Sequence, residues 1–428
     1  MIAIIVFVAM AVYLLLNIPV PVAVSLSAMT AMTLNGGMDL QVVVQRMFYG
    51  LNNYIYLAIP LFVLLGQIMM TAKITERLVD FALVLVGHMR GGLAQVAVVA
   101  CAVMSSISGS SSADAAATGA VLGPSMVKQG YSPGFASAVI GAASAGAALI
   151  PPSITMIVYA SLSNVSIARL FVAGIIPGIL VGAALMFAIW RSAIKYNLPV
   201  GTERPTVKVV GKASARAFLV LLAPIIIIGG VVGGVFTPTE SAAVAVLYTL
   251  FLAFVVYRSL RLRDMIGVLE RSLVITAQLM LTLAAASIFS WIIARAGLPN
   301  QVAQLPIFQG DSGWIVLMLV INIVVFLLGI FLEGSPLLVI VTPIFLAPAL
   351  AAGIDPTHLG IVLAINLAIG GISPPFGMLM FVACAVTPAT MVQFSKAIVP
   401  FIVLICAVVL VISYVPQITL WLPDILNL

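Results

Sequence analysis

The sequence has 428 residues, of which 63% are hydrophobic and only 7% are charged. A mean hydropathy of +1.29 excludes a soluble globular domain. The apolar segments reach helix length and contain Gly and Pro, whereas an outer-membrane barrel needs short segments that alternate apolar and polar residues. We therefore predict an all-α polytopic membrane protein. The net charge of +6 reports topology and does not indicate a nucleic-acid partner.

Residues 1–90 are predicted to form N-terminal scaffold helices and a connecting arm. The first apolar run has no basic residue before it, which argues against a cleaved signal peptide and for a permanent first span. The first 34 residues are either one long span or two short ones broken at Asn17-Ile18-Pro19. The sequence leaves this alternative open, and with it the side of the N terminus.

Basic residues orient the chain. One polar loop contains a single acid, Glu203, and six basic residues: Arg191, Lys195, Arg204, Lys208, Lys212 and Arg216. The next loop carries Arg258, Arg261, Arg263 and Arg271. The positive-inside rule places both loops in the cytoplasm. Residues 191–272 are therefore predicted to be cytoplasmic basic loops and two central scaffold helices, 217–236 and 239–257.

Residues 91–190 are predicted to form a first repeat unit. It consists of a re-entrant hairpin at 92–126, a broken helix at 133–163 and a return helix at 168–190. The hairpin is too short for two full spans of about 20 residues plus a turn, and its centre is the polar run SISGSSSAD. Such a tip is tolerated at membrane depth only where protein or water surrounds it.

Residues 273–428 are predicted to form a second unit. After a crossing at 273–293 come a hairpin at 313–350 with the tip FLEGSP, a broken helix at 356–386 and a last helix at 397–422. A shift of 223 positions places GYSP (130–133) on GIDP (353–356), Pro151-Pro152 on Pro374-Pro375, and Pro177 on Pro400. The two units start from opposite sides of the membrane, so the repeats are predicted to be inverted. Inverted repeats with interrupted helices are typical of secondary transporters.

Each broken helix contains a diproline: IPPSIT at 150–155 and ISPPFG at 372–377. Proline removes a donor and frees carbonyl groups that lipid does not hydrate. A bound cation could coordinate these carbonyls. Alternatively, the site is a simple kink in which Ser153, Thr155 or a neighbouring helix supplies the missing hydrogen bonds. The occurrence of the same break in both repeats favours a cation.

The polar tips carry the other candidates. The first tip combines Ser106, Ser108, Ser110, Ser111 and Ser112 with Gly109 and Asp114. Its small residues also suit plain helix packing, and Asp114 also suits a cap on the returning helix. In the second tip, Glu333 is a functional candidate because an ionised group at that depth costs at least about 2.5 kcal/mol. Glu240 is different, since Thr237-Pro238-Thr239-Glu240 is a helix-capping sequence.

The run SSISGSSSADAAATGAVLGPSMVKQGYSP, followed by GAALIPPSITMIVYA, FLEGSP and GGISPPFG, resembles the large membrane subunit of tripartite ATP-independent periplasmic (TRAP) transporters. The resemblance covers essentially the whole chain, including VFTPTESAAVAVLY. It implies a multi-pass protein of the bacterial inner membrane with an elevator-type fold. It also implies two partners, a small four-helix membrane subunit and a periplasmic substrate-binding protein.

The resemblance further implies sodium-driven import of an organic acid such as a C4-dicarboxylate or sialic acid, with Na+ as coupling ion, as the only metal, and without an organic cofactor. It assigns sodium binding to the tips and breaks, at Ser106, Ser108, Gly109, Pro151, Ser153, Gly334, Ser335, Ser373, Pro374, Gly377 and Met378. The substrate candidates between the tips are Ser110, Ser112, Thr155 and Glu333.

Two competing functions remain at this stage. One is a stand-alone sodium/anion symporter that needs no soluble receptor, and the other is an anion channel in which the hairpins form a fixed filter. An enzyme is not expected, because the sequence has no phosphate-binding loop of the Gly-Lys-Ser/Thr type and no His or Lys base beside the tip serines.

Overall fold

The computed structural model describes residues 2–34, 41–199, 205–310, 312–332 and 334–428. Within these ranges the chain forms α-helices that we number in chain order: α1 (Ile2–Leu15), α2 (Val20–Leu34), α3 (Gln41–Leu51), α4 (Ala58–Thr71), α5 (Ile74–Val86), α6 (Gly92–Ser108), α7 (Ser111–Lys128), α8 (Pro133–Ala147), α9 (Ile154–Ser163), α10 (Ile167–Lys195), α11 (Val207–Val232), α12 (Pro238–Phe251), α13 (Leu262–Arg295), α14 (Leu298–Ala303), α15 (Gly313–Gly329), α16 (Gly334–Ala351), α17 (Pro356–Ile372), α18 (Met378–Ala385), α19 (Met391–Tyr414) and α20 (Gln417–Ile425).

Apolar helices long enough to cross a bilayer dominate the structure. In the described part of the chain, seven segments meet this length and hydropathy: Tyr54–Thr71, Ile167–Lys195, Lys208–Val232, Pro238–Val256, Leu262–Arg295, Gly334–Ala351 and Met391–Tyr414. Further apolar helices of 10–17 residues accompany them. The prediction of an all-α, multi-pass membrane protein is therefore confirmed.

The N-terminal 34 residues form two helices rather than one long span. The chain reverses at Asn17, whose φ is 59°, and α2 begins directly after Pro19. The two helices pack against each other, and the hydroxyls of Tyr13 and Thr30 are 2.8 Å apart. The break at Asn17-Ile18-Pro19 is therefore a complete turn, because proline has no N–H to continue the preceding helix.

Helix α13 begins earlier than the predicted crossing at 273–293. It starts at Leu262 and includes Arg263 and Arg271, which were predicted to lie in a loop. The carboxylate of Asp264 accepts a hydrogen bond from the N–H of Arg261 at 2.9 Å and so caps the first turn. This polar cap allows the helix to begin well before its apolar segment.

The predicted last helix, 397–422, is two helices in the structure. Helix α19 ends at Tyr414 and α20 begins at Gln417, because Pro416 has no N–H to continue the α19 hydrogen-bond pattern. Helix α20 packs against α10. Arg169 of α10 holds it there through an ion pair with Asp424 at 3.0 Å, and also contacts Asp355 at 3.5 Å.

The same order of helices occurs twice. A helix pair, two short helices in line and one long helix appear as α6–α7, α8, α9, α10 and again as α15–α16, α17, α18, α19. The two sets interlock, since α7 packs against α18 and α9 packs against α16. Residues 148–153 separate α8 from α9, and residues 373–377 separate α17 from α18. We call these segments break 1 and break 2. The inversion of the two sets across the membrane stays a prediction, as do the domain bounds.

Helices α15 and α17 cross in direct backbone contact. A Cβ atom added to Gly370 would lie 2.6 Å from backbone atoms of Gly329. At the same interface the side-chain amide of Asn366 donates to the Asn322 carbonyl oxygen at 2.6 Å. The second helix pair is therefore joined to its neighbouring broken helix by close backbone packing and a buried amide contact.

Candidate functional site

We call residues 106–112 tip 1; they comprise the end of α6, the turn at Gly109 and Ser110, and the start of α7. Gly109 joins the helices with a φ of 64°, a left-handed conformation that suits glycine because it has no Cβ. The Ser110 hydroxyl accepts a hydrogen bond from the N–H of Ala113 at 3.5 Å and lies 3.2 Å from the Ser112 hydroxyl. The tip is therefore a compact, hydroxyl-rich turn directly before a helix N-terminus.

Asp114 contacts tip 1 through a buried hydrogen bond. Its side chain is fully buried, and one carboxylate oxygen accepts a hydrogen bond from the Ser108 hydroxyl at 2.6 Å. The Ser108 oxygen also accepts from the N–H of Ser110 at 3.2 Å. The predicted capping role belongs to Ser110, the N-cap residue of α7. Asp114 lies within the first turn of that helix and fixes the conformation of the loop before it.

Break 1 lies directly against tip 1. It contains a cis peptide bond between Pro151 and Pro152, and the N–H of Ile154 donates to the Gly109 carbonyl at 3.2 Å. A Cβ on Gly109 would lie 3.1 Å from the Pro152 carbonyl oxygen. The first polar turn and the first helix interruption therefore form one packed unit.

Break 2 has a similar relation to the turn after α15. It also contains a cis bond, between Pro374 and Pro375. The Ser373 hydroxyl donates to the Ile369 carbonyl at 2.8 Å, and the N–H of Gly377 donates to the Ser373 carbonyl at 3.0 Å. The rings of Phe331 and Phe376 are 5.6 Å apart and join the turn to the break. We call residues 330–335 tip 2; its Glu333 lies outside the described residues.

A cavity of about 450 Å³ lies where tips and breaks meet, and we call it the central cavity. The predicted site residues that line it are Ser108, Gly109, Ser110, Ser112, Thr155, Gly334, Ser335 and Met378. The other described candidates are not among the lining residues: Ser106, Pro151, Ser153, Ser373, Pro374 and Gly377. Ser106, for example, donates its hydroxyl back to the Val103 carbonyl at 2.6 Å. The structure thus brings the substrate candidates Ser110, Ser112 and Thr155 to one surface.

Four helices begin at the central cavity. The residues Ser111, Ile154, Gly334 and Met378 all line it, and they are the first residues of α7, α9, α16 and α18. The N-terminus of a helix carries unpaired N–H groups and a partial positive charge, so it favours an anion. Among the described lining residues there is no Lys, Arg, Asp or Glu. The polar groups that the described residues contribute to this surface are therefore hydroxyls, amides and helix N-termini.

Two glutamines that the sequence analysis did not identify complete the lining. Gln67 comes from α4 and Gln278 from α13, two helices outside the repeated sets. Each glutamine is embedded in a strongly apolar helix, and that isolation is the signal by which they could have been found. They add two side-chain amides from α4 and α13 to the cavity lining.

The fold is that of a multi-pass helical membrane protein. The solved structure of the YdaH transporter of Alcanivorax borkumensis matches the fold with a TM-score of 0.61, covering 88% of this chain and 87% of that one at 14% identity. Residues 7–418 match the family model described as "Tripartite ATP-independent periplasmic transporter, DctM component". The chain belongs to this family, which confirms the resemblance and the prediction that it is not an enzyme.

Several TRAP transporter large permease proteins are similar to this chain over most of their length. The C4-dicarboxylate TRAP transporter large permease protein DctM of Pseudomonas aeruginosa is 39% identical over 383 residues, 90% of this chain and 89% of that protein. The sialic acid TRAP transporter large permease protein SiaM of Vibrio cholerae is 38% identical, covering 93% of each chain. The 2,3-diketo-L-gulonate TRAP transporter large permease protein YiaN of Escherichia coli is 36% identical, covering 89% of each chain.

Proposed function

We propose that this chain is the sodium-driven permease subunit of a TRAP system in a bacterial inner membrane, and that it imports a small organic acid anion by an elevator mechanism. In this proposal a periplasmic binding protein delivers the anion, and a small four-helix membrane subunit completes the complex. The observation that carries the proposal is the central cavity, at which four helix N-termini meet the hydroxyl-rich tip 1 and the residues Gly334 and Ser335 of tip 2.

The preference for an anion rests on the electrostatics of this cavity. The N-termini of α7, α9, α16 and α18 all begin on its lining, and each favours negative charge by about 0.3–1 kcal/mol or more when water is excluded. The hydroxyls of Ser110, Ser112 and Thr155 donate well to a carboxylate. The three relatives described above are named for C4-dicarboxylate, sialic acid and 2,3-diketo-L-gulonate, which supports a carboxylate as substrate.

The coupling to sodium rests on the two breaks. Both place non-helical backbone and a diproline beside a tip: break 1 through the hydrogen bond from Ile154 to Gly109, and break 2 through the contact between Phe331 and Phe376. Unwound carbonyl groups are the ligands that coordinate Na+ in transporters with discontinuous helices. In the proposal, sodium binds between each tip and its break and fixes the tip in the conformation that receives the anion. Movement of the interlocked repeats past α4 and α13, which supply Gln67 and Gln278, then carries both across.

The test is uptake by proteoliposomes that contain this chain and its small subunit, with the binding protein added outside. We expect a radiolabelled C4-dicarboxylate or sialic acid to accumulate only with an inward sodium gradient and only with the binding protein. Equal uptake by this chain alone would support the stand-alone symporter. Non-saturating flux that ignores the sodium gradient would support the channel and overturn the proposal.

The variant Thr155→Val tests the substrate surface. It preserves the shape of the side chain and removes one hydroxyl from the central cavity, in which Thr155 is half-buried. A hydrogen bond to a charged group contributes about 1.5–3 kcal/mol, so we expect the apparent KM for the anion to rise at least about tenfold while the maximal rate changes little.

Thr249→Val in α12 is the matched control. Thr249 is fully buried, and its hydroxyl has no hydrogen-bond partner among the described residues, so its loss should leave the KM unchanged. A Thr155→Val variant with the KM of the unmodified protein would remove Thr155 from the substrate site.

A further inference from the structure

A second cavity, of about 760 Å³, lies between the end of α10 and the beginnings of α8 and α19; we call it the basic cavity. It shares no lining residue with the central cavity. The end of α10 carries the basic residues that the positive-inside rule assigns to the cytoplasmic side. The proposed transport function makes no use of this cavity.

Three cations from two helices line the basic cavity: Arg191 and Lys195 of α10, and Lys396 of α19. All three are exposed, and none of them forms an ion pair with a carboxylate of the described residues. The described lining also contains no Asp or Glu. Lys195 also lies 5.2 Å from the centroid of the Tyr196 ring, but this contact brings no negative charge. Three positive charges around one cavity repel one another, and an anion held between them offsets that repulsion.

Apart from Ser132, Ser192, Tyr196 and Gln393, the remaining lining residues are apolar. Phe135 and Phe401 form its floor, with ring centroids 5.9 Å apart. Phe187 lines the rim, is 56% exposed and lies 5.9 Å from the ring of Trp190, which is 42% exposed. Exposed aromatic residues of this kind are enriched where a bilayer meets water. The cavity therefore combines three cations with aliphatic and aromatic side chains, next to exposed aromatic residues of the kind found at headgroup depth.

We propose that the basic cavity binds an anionic phospholipid, with its phosphate among Arg191, Lys195 and Lys396 and an acyl chain along Phe187 and Trp190. Arginine contacts phosphate oxygens through paired donors, and lysine contributes a point charge. Basic pockets between transmembrane helices on the cytoplasmic side are suited to such headgroups. The apolar wall favours a lipid over a free phosphate ion, which would leave this surface uncovered.

Trp190 makes the proposal measurable. The chain has four tryptophans, so the substitutions Trp291→Phe, Trp314→Phe and Trp421→Phe leave Trp190 as the single emitter beside the cavity. The full chain is reconstituted in phosphatidylcholine vesicles that contain either brominated phosphatidylglycerol or brominated phosphatidylcholine at the same mole fraction. We expect brominated phosphatidylglycerol to quench Trp190 more strongly than brominated phosphatidylcholine does. The difference should correspond to a local phosphatidylglycerol concentration that is higher than the bulk value by about fivefold for each cation that contacts the phosphate.

The site variant is Arg191→Gln with Lys195→Gln and Lys396→Gln, which should quench equally with both lipids. Its control, Arg258→Gln with Arg261→Gln and Arg263→Gln, removes the same charge from the other basic segment and should keep the preference. If both variants lose the phosphatidylglycerol preference equally, the preference arises from the overall positive charge of the cytoplasmic surface and not from this cavity, and the proposal is overturned. Equal quenching by both lipids in the unmodified chain would also overturn it and would leave an acidic protein segment as the ligand class.

Inorganic phosphate separates the lipid from a soluble anion. Phosphate added to vesicles of phosphatidylcholine alone should leave the emission of Trp190 unchanged, and it should leave the phosphatidylglycerol preference intact. A shift that saturates with phosphate and disappears in the site variant, together with loss of the lipid preference, would show that the cavity binds the free ion and would overturn the proposal. Quenching by brominated phosphatidylcholine, equal in all variants, verifies that each is folded and inserted.

Discussion

We expect the proposed sodium-driven uptake to fall about 100-fold in Gly109→Ala. Gly109 has a φ of 64°, in which a residue with a Cβ is strained, and that Cβ would lie 3.1 Å from the Pro152 carbonyl and 3.4 Å from the Ile154 nitrogen. Both neighbours are backbone atoms of break 1, so relief of the contact moves the tip away from the break. A distortion of about 3 kcal/mol at such a site corresponds to this loss of rate.

The loss should appear as a weaker dependence on sodium before it appears as poor folding. Initial uptake rates against sodium concentration measure the first, and the amount of monodisperse protein measures the second. Gly130→Ala is the matched control: its φ is 92°, yet nothing lies within 4 Å of the added Cβ. The control has the backbone strain without the contact. If both variants lose uptake equally, the contact between tip 1 and break 1 has no special role.

The free energy of unfolding should fall by about 3 kcal/mol in Gly370→Ala. The added methyl group would lie 2.6 Å from backbone atoms of Gly329, so α15 and α17 have to separate. Separation also stretches the buried contact between Asn366 and Asn322, now 2.6 Å. Overpacking of a core costs about 1–3 kcal/mol, and a buried amide that loses its partner costs about 1–3 kcal/mol more.

Thermal unfolding monitored by tryptophan fluorescence measures this effect. Gly182→Ala in α10 is the control, because nothing lies within 4 Å of the Cβ it adds. Replacement of a helix-interior glycine by alanine reduces the entropy of the unfolded chain, so this variant should unfold at the same or a slightly higher temperature. A Gly370→Ala variant as stable as the Gly182→Ala variant would mean that α15 and α17 adjust their spacing without cost.

Some features of the site can be predicted from short stretches of sequence because local chemistry determines them. The capping box of Thr237 and Glu240 is one: the Thr237 N–H and hydroxyl both donate to the Glu240 carboxylate at 2.8 Å, and four adjacent residues suffice to form it. The interruption of both diproline helices is another, because proline has no N–H wherever it occurs. The α6–α7 turn is a third, because Gly109 has no Cβ and adopts the left-handed φ of 64° that the turn requires.

Other features require contacts between distant parts of the chain. The sequence left open whether Asp114 caps α7 or has a functional role; in the structure Ser110 is the N-cap residue, and the buried Asp114 carboxylate accepts a hydrogen bond from the Ser108 hydroxyl. The split of the last helix at Pro416 and the early start of α13 were missed because hydropathy marks the apolar segment and not the ends of the helix around it. Neither error affects the order of the helices.

Short stretches of sequence thus determine three features of this protein: membrane insertion, the helix breaks and the polar turns. Burial in lipid and the loss of a backbone donor each depend on a few neighbouring residues. Consecutive residues do not determine the central cavity. Gln67 and Gln278 lie more than two hundred positions apart in the sequence, and the four helix N-termini converge only because α7 packs on α18 and α9 packs on α16. Side-chain packing between the two sets decides that geometry, and it depends on the whole folded chain.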